Sequence, residues 1–309
     1  MGIGLCCHYL TPKIKRNGNI EYVNSLNESS LQYGQYLNKK YSSIKIEDTW
    51  INNINNLLSA IKTINAKGIN VFRFSSSIFP LYDLESNLLE SSKTIKNSLL
   101  EIGKFIKSNN IRLTTHPDQF VVISSNRQDV IDKSIIMLQH HAWIMDQMEL
   151  DESHYYSINI HGGTRGNSSI LIDSINSLPL NVKSRLTLEN DERSYNVKDL
   201  YAVFEKTTIP IVFDSHHHLF NDANLESEDG FLLAKSTWGS IKPLTHLSNT
   251  SPGLENANFS MKRKHSEYVH YIPEWQLLAN NNDSIDVDFE FKMKNLAIFD
   301  AVEKFKIKL

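Results

Sequence analysis

The chain has 309 residues, of which 40% are hydrophobic and 22% charged, and its formal net charge is −3. This balance excludes a protein that coats nucleic acid through bulk electrostatics, although it leaves room for a local basic face. The sequence contains only the adjacent cysteines Cys6 and Cys7, no run long enough for a membrane span and no signal-peptide pattern at MGIGLCCHYL, so we expect a cytoplasmic protein, nucleoid-associated if prokaryotic, without disulfides or a membrane partner.

Eight short apolar runs along the chain are typical of buried parallel strands. Apolar residues at helical spacing lie between them, for example from Trp50 to Ile64 and from Leu99 to Ile106, and Gly68 and Asn110 stand at helix C-cap positions. Eight alternations over this length predict an α/β fold, a single (β/α)8 TIM barrel that forms one domain over residues 1–309. The predicted strands are 2–8, 69–74, 111–116, 156–162, 185–190, 209–214, 242–248 and 285–290.

Metal-binding side chains stand at the ends of six successive predicted strands. The active site of such a barrel is built at the C-terminal ends of its strands. Each side chain alone is more often a hydrogen-bonded or surface residue, but several buried carboxylates without cationic partners would be costly. The set therefore favours a metal centre, and it comprises His116, His161, Glu189, Asp214, His217, His246 and Glu290.

Imidazole nitrogens and carboxylate oxygens make up this set, which suits Mn²⁺, Zn²⁺, Fe²⁺ or Co²⁺. The ligands are too many for one ion, so we expect two or three ions bridged by a carboxylate, an arrangement that favours phosphate-ester hydrolysis. The sequence has no Walker phosphate loop, G-x-S-x-G elbow or H-E-x-x-H helix, and no nucleotide cofactor is expected. The loop HGGTRG (161–166) could approach a phosphate with its backbone, although such loops are common simply as turns.

Seven segments resemble the motifs of the UV-damage endonucleases, in the family's order, from about residue 70 to the C-terminus. The resemblance implies a barrel of the endonuclease IV or xylose-isomerase design. It also implies an enzyme that nicks DNA immediately 5′ of cyclobutane pyrimidine dimers, 6-4 photoproducts and some abasic sites. The segments are HPDQFVVISS (116–125), NIHGGTRG (159–166), LTLENDE (186–192), VFDSHHH (212–218), HLS (246–248), KHSEYV (264–269) and VDFEFKMKN (287–295).

The resemblance further implies a cluster of up to three ions, with Mn²⁺ expected first and Zn²⁺, Co²⁺ or Mg²⁺ as alternatives. Its ligands would be the seven side chains above and His265, which only the family spacing identifies. Glu189, His161 and Glu290 would form the catalytic set, with Glu189 bridging ions and an activated water as the nucleophile.

In the family, a Gln and the aromatic residue after it enter the duplex opposite the lesion. They correspond to Gln119 and Phe120, although the residues alone would favour core packing for Phe120. Two positions depart from the family pattern. Leu244 stands where a lysine that can be carboxylated is common, with Lys242 two residues earlier, and His8 and Tyr9 are the aromatic residues nearest to the family's first-strand aromatic.

Arg73, Asn126 and Arg127 lie at or after the ends of the second and third predicted strands and could hold DNA phosphates. We expect the partner to be damaged double-stranded DNA, bound by a monomer. Two other functions stay open, a metal-dependent sugar isomerase or epimerase on the same barrel and an inactive DNA-binding relative. The complete ligand set and the HPDQF motif favour the endonuclease.

Overall fold

The computed structural model describes residues 2–24, 26 and 28–307. The strands in this part of the chain are β1 (Gly2–Cys6), β2 (Leu10–Ile14), β3 (Ile20–Asn24), β4 (Val71–Phe74), β5 (Arg112–Thr115), β6 (Ile158–His161), β7 (Leu186–Glu189), β8 (Ile211–Asp214), β9 (Leu244–Leu247) and β10 (Asp286–Phe289). The helices are α1 (Tyr33–Leu37), α2 (Ser43–Asn65), α3 (Ser86–Ser91), α4 (Lys93–Ser108), α5 (Gln128–Gln147), α6 (Ser168–Ser177), α7 (Leu180–Lys183), α8 (Val197–Thr207), α9 (Ser215–His218), α10 (Ser227–Lys235), a 3₁₀ turn (Ser236–Trp238), α11 (Phe259–Lys262), α12 (Glu274–Asn281) and α13 (Lys294–Phe305).

Eight parallel strands close into a barrel in the order β1-β10-β9-β8-β7-β6-β5-β4. The closing strand β1 pairs with β10 on one side and with β4 on the other. Each of these strands falls within one of the eight predicted runs, so the (β/α)8 barrel is confirmed. No helix of the described residues is both long and apolar enough to cross a bilayer.

An antiparallel hairpin of β2 and β3 follows the first barrel strand, and the sequence analysis did not predict it. Leu10 pairs with Asn24 and Ile14 with Ile20. The hairpin is largely exposed, and Ile14 keeps 74% of its surface accessible. Because neither strand buries a face, the apolar alternation that marks a half-buried strand is missing.

The helix ends follow local sequence signals. The Ser42 side chain accepts a hydrogen bond from the Lys45 amide at the start of α2. Gly68, after that helix, has φ +84°, and Asn110, after α4, has φ +51°. Both residues take the left-handed conformation that ends a helix, as predicted, and the chain then enters the next barrel strand.

Charged groups fill part of the barrel interior beside two glycines of β1. A Cβ atom at Gly2 would lie 1.6 Å from Asp286 Oδ1, and one at Gly4 would lie 2.0 Å from Asp288 Oδ1. Glycine at both positions therefore leaves room for carboxylates of β10. Asp286 accepts a hydrogen bond from Arg112 Nη1 at 3.1 Å, which partly matches its charge at the floor of the barrel.

Candidate metal centre

Three overlapping groups of potential metal ligands lie at the C-terminal mouth of the barrel. Within each group, one donor atom from each residue lies within 4.8 Å of the others. Glu189 and Asp214 each belong to two groups, so the three form one continuous centre. The groups are His116 with His161 and Glu189, Glu189 with Asp214 and His217, and Asp214 with His246 and Glu290.

Strand register brings these side chains to the same level. His161 pairs with Glu189 across β6 and β7, and Asp214 pairs with His246 across β8 and β9. The side chain of Asn190 joins β7 to β8, because its amide donates to the Asp214 carbonyl at 3.0 Å and its oxygen accepts from the Asp214 amide at 2.9 Å. The ends of neighbouring strands are thus fixed relative to one another.

Glu189 lies at the middle of the centre and is only 1% exposed. Its Oε2 atom is 3.3 Å from His116 Nε2 and accepts a 2.5 Å hydrogen bond from the Asn159 amide. Its Oε1 atom is 3.3 Å from His217 Nδ1 and 3.2 Å from His246 Nδ1. One carboxylate therefore contacts residues of β6 and β9 and residues that directly follow β5 and β8.

Negative charge dominates the electrostatics of the centre. Burial raises the pKa of Glu290, but the opposing charges of Arg73, His246 and His265 outweigh it and hold the pKa below its ordinary value. Burial likewise lowers the pKa of His246, but Glu189 and Glu290 raise it to about 9. Protons on the histidines thus compensate carboxylates that a bound cation would otherwise neutralise.

Several buried polar atoms of the centre lack a hydrogen-bond partner among the described residues. They are His161 Nδ1, Asp214 Oδ2 and His246 Nε2. Leaving such an atom unsatisfied costs about 1–3 kcal/mol. Nitrogen and carboxylate donors at these distances from one another are ligands for divalent ions such as Zn²⁺ and Mn²⁺, so the residues fit a divalent metal site.

The eighth predicted ligand, His265, lies at the edge of the centre. Its Nδ1 atom is 3.7 Å from Glu290 Oε2, its side chain is 33% exposed, and it belongs to none of the three groups. Leu244 is buried one layer below His246, in a small apolar cluster with Trp238. Lys242 instead pairs with Asp286 at 2.7 Å. Neither Leu244 nor Lys242 belongs to the three ligand groups.

Gln119 and Phe120 occupy the middle of a tight turn on the same face of the barrel. The Val121 amide donates to the Asp118 carbonyl at 2.9 Å, which closes the turn. Both side chains point away from the core, and Phe120 keeps 61% of its surface exposed. Core packing, the interpretation that the residues alone favour for Phe120, is therefore wrong.

The predicted phosphate contacts differ in their placement. Arg73 lies inside β4, and its guanidinium is paired with Glu290, with 13% of the side chain exposed. Arg73 thus serves as the charge partner of Glu290, and a phosphate contact at this position stays a prediction. Asn126 and Arg127 are exposed after β5, where Asn126 accepts from Asn167 and Arg127 pairs with Asp129.

The glycine-rich loop after β6 packs against the loop after β5. Gly163 has φ +87°, and a Cβ atom there would lie 2.5 Å from Ser124 Oγ. Ser124 Oγ donates to the Gly162 carbonyl and accepts from the Thr164 amide, each at 2.7 Å. Loop packing therefore explains these glycines, and the Thr164 amide is not free for a phosphate.

Sequence reasoning missed Asn159, the residue that holds Glu189 through the 2.5 Å hydrogen bond. It lies two residues before His161 on β6, and side chains at that spacing point to the same side of a strand. The two-residue repeat of a strand could therefore have identified Asn159 from the sequence. The pairing of Arg73 with Glu290 joins β4 to the end of β10 and carries no local sequence signal.

Comparison with known proteins identifies the family to which this chain belongs. The model of the family described as UV-endonuclease UvdE matches residues 23–308. The chain belongs to this family. A UV DNA damage endonuclease from Nostoc sp. is 36% identical over 239 residues, covering 74% of this chain and 71% of that protein. A UV DNA damage endonuclease from Deinococcus radiodurans is 32% identical over 270 residues, covering 85% of this chain and 86% of that protein.

Solved structures support the fold of this UvdE family member. The crystal structure of SacUVDE is 23% identical, with a TM-score of 0.80 and complete coverage of both chains. The structure of endonuclease IV from Thermus thermophilus is 13% identical, with a TM-score of 0.55. The match covers 80% of this chain and 94% of that chain. The predicted family, the endonuclease class and the relation to the endonuclease IV barrel are confirmed.

Proposed function

We propose that this UvdE-family endonuclease nicks double-stranded DNA immediately 5′ of cyclobutane pyrimidine dimers and 6-4 photoproducts, and also cuts at abasic sites. The observation that carries the proposal is the position of the exposed Phe120 on the barrel face that holds the continuous His, Asp and Glu centre. The curated relatives named UV DNA damage endonucleases support the choice of substrate. The chain would act as one catalytic domain and as a monomer.

The proposed metal ligands are the seven residues of the three groups, with His265 at the margin. We propose two or three ions, Mn²⁺ first and Zn²⁺, Co²⁺ or Mg²⁺ as alternatives. Bound divalent ions would neutralise phosphate charge and lower the pKa of a coordinated water.

The chain's own residues prepare this site. Glu189, His161 and Glu290 are the proposed catalytic set. Asn159 orients the Glu189 carboxylate, and Arg73 keeps Glu290 ionised. Burial lowers the pKa of His161, so its ring is neutral and able to bind a metal.

Gln119 and Phe120 are the proposed lesion probe. An exposed aromatic ring at the tip of a tight turn can enter a base stack and replace part of the stacking that is lost there. Extruding a base costs a few kcal/mol, and the cost is lowest where pairing is already weakened. Such a probe recognises deformable DNA rather than a base sequence. Asn126 and Arg127 are proposed to hold nearby phosphates.

The direct test is a nicking assay. The full chain is incubated with Mn²⁺ and an end-labelled duplex that carries one thymine dimer, beside the undamaged duplex and an EDTA control. We expect one metal-dependent cut directly 5′ of the dimer and none in the undamaged duplex. The variant Glu189→Gln is the matched control and should lose the cut. A folded chain that makes no cut with any of the four metals would contradict the proposal and favour a sugar isomerase or epimerase.

A further inference from the structure

We infer that a cleft on the barrel rim, beside His217 of the metal centre, binds the DNA backbone on the 5′ side of the cut, through Arg165 and Arg193. This inference rests on the proposed function and adds a binding surface to it. The cleft has a volume of about 490 Å³. We call it the arginine cleft, and its principal lining residues are Arg165, Arg193, Phe220 and Phe259.

The arginine cleft and the lesion probe border different parts of the metal centre, the cleft beside His217 and the probe in the turn after His116. The four principal residues of the cleft follow β6, β7, β8 and β9 in turn, whereas Phe120 follows β5. In the closed strand order, β6 and β7 are the first and second neighbours of β5, and β9 lies across the barrel from it. Glu192, which also lines the cleft, has its Oε2 atom 3.8 Å from His217 Nε2. The cleft therefore borders the metal centre directly.

Positive charge in the cleft is not compensated. Glu192, the only acidic residue among the described residues that line it, is paired with Arg263. Arg165 and Arg193 are both exposed, and neither makes an ion pair with another residue in the described part of the chain. The chain as a whole carries a net charge of −3, so this is a local basic surface within an acidic protein. A phosphate is the group on DNA that such a surface attracts.

Aromatic stacking orients one of the two arginines. The guanidinium carbon of Arg193 lies 4.9 Å from the centre of the Phe259 ring, and that ring packs edge-on against Phe220 at 5.6 Å. The Arg193 amide donates to Asp191 Oδ1 at 2.7 Å, which fixes the backbone as well. A guanidinium over an aromatic ring keeps N–H groups free, and these can bind phosphate oxygens in pairs. Prior ordering also lowers the entropy cost of binding.

The position of the cleft sets which part of the strand it holds. In the proposed reaction the lesion lies beside Phe120, and the cut phosphate lies over the metal centre. The strand that continues past the cut, away from the lesion, then passes the His217 side of the centre, which the cleft borders. Because the cut is 5′ of the lesion, Arg165 and Arg193 would contact phosphates of the 5′ flank.

Salt-dependent binding tests the contact. The affinity of the full chain for the dimer duplex is measured in EDTA, so that no strand is cut, over a range of salt concentrations. We expect Arg165→Gln and Arg193→Gln each to weaken binding about tenfold and to lower the slope of log affinity against log salt by about 0.9. Arg193→Lys should keep the slope. The control Lys206→Gln, an exposed residue in the last turn of α8 at the other end of the barrel, should change neither.

Uncharged methylphosphonates in the DNA test the direction of the strand. Placed 5′ of the cut, they should weaken binding by the wild-type chain but not weaken the arginine variants further, because the contact is already lost. Placed 3′ of the lesion, their effect should add to that of the variants. Unchanged salt slopes in the variants would overturn the inference. So would affinity losses that add to those of the variants when the methylphosphonates lie 5′ of the cut, or losses that do not add when they lie 3′ of the lesion.

The nicking assay separates this inference from the proposed function. If the wild-type chain cuts 5′ of the dimer and the arginine variants bind DNA like the wild type, only the proposed role of the arginine cleft is overturned. A wild-type chain that binds no DNA would overturn both. Thermal unfolding of the variants checks the fold, and no change is expected because both side chains are exposed.

Discussion

The Asn159 amide donates to Glu189 Oε2 at 2.5 Å, so a residue of β6 orients the carboxylate at the middle of the metal centre. The Thr187 hydroxyl in turn donates to Asn159 Oδ1 at 2.9 Å. All three side chains are buried. The second hydrogen bond fixes the Asn159 amide with its NH₂ group towards Glu189, and the carboxylate is held before any ligand binds.

Replacing Asn159 should therefore weaken metal binding. We expect Asn159→Leu to lower Mn²⁺ affinity by about 10- to 100-fold, the usual effect of removing a group that orients a ligand. Thr187→Val should have a smaller effect, since it removes only the support of the amide. Titration calorimetry with Mn²⁺ measures both. Equal affinities in the wild type and Asn159→Leu would show that Glu189 does not need this hydrogen bond.

The exposed ring of Phe120 should matter for damaged DNA and not for folding. Stacking of a base on an aromatic side chain is worth about 1–3 kcal/mol, so Phe120→Ala should slow nicking of the dimer duplex by roughly 5- to 150-fold. Phe120→Tyr keeps the ring and should retain the rate. Leu180→Ala removes a side chain of similar exposure, 73%, in α7 and is the matched control. A rate for Phe120→Ala equal to that of the control would contradict the stacking role.

The barrel was predictable because its strands are buried on both faces and therefore stand out as short apolar runs. The convergence of the candidate metal ligands was predictable for a related reason: a parallel barrel collects the C-terminal ends of its strands, so side chains at those ends must converge. His161 and Glu189, in register on neighbouring strands, are an example. At these positions the local sequence pattern and the barrel topology predict the same arrangement of side chains.

Other features depend on contacts that local sequence does not encode. Arg73 was assigned to phosphate because the sequence does not show that its side chain meets Glu290 across the barrel. His265 follows β9 in a loop without strand or helix period, so only the family spacing identified it. The arginine cleft draws its principal residues from the segments that follow four separate strands. Such sites require the tertiary structure.

The pair of Arg73 and Glu290 should contribute strongly to stability. Removing one partner of a buried pair leaves an uncompensated charge, so Arg73→Met should lower the free energy of unfolding by about 3–5 kcal/mol. The matched control is Arg127→Met, which breaks an exposed pair worth about 0–1 kcal/mol. Urea denaturation measures both in EDTA. Equal losses would show that the Arg73 pair is well solvated.

Stability of the metal-free chain should fall as the pH rises above neutrality. Although burial lowers its pKa, Glu189 and Glu290 raise the pKa of His246 to about 9, against an ordinary value of 6.5. Its proton therefore stabilises the fold fully below pH 6.5, and this contribution is lost as the pH approaches 9. His217, whose pKa is raised by Asp214 and Glu189 despite its burial, acts in the same direction.

Each proton changes stability by up to about 1.4 kcal/mol per pH unit. Urea denaturation in EDTA from pH 6.5 to 9 should show this decline, and His246→Gln should make it shallower. If the stability of the variant declines with the same slope, other titrating groups cause the decline. With saturating Mn²⁺ the decline should disappear, because a metal ligand must be unprotonated.

The close approach of Gly4 to Asp288 should make β1 intolerant of side chains. A Cβ atom at Gly4 would lie 2.0 Å from Asp288 Oδ1, well inside contact distance, and the surrounding barrel interior is buried. We expect Gly4→Ala to lower the free energy of unfolding by about 1–3 kcal/mol or more, the usual cost of overpacking. Removing the carboxylate should relieve the clash, so Asp288→Ala should cost less in the Gly4→Ala background than in the wild type. Urea denaturation of the two single variants and the double variant gives this coupling, and strictly additive losses would show that the two side chains do not compete for the same space.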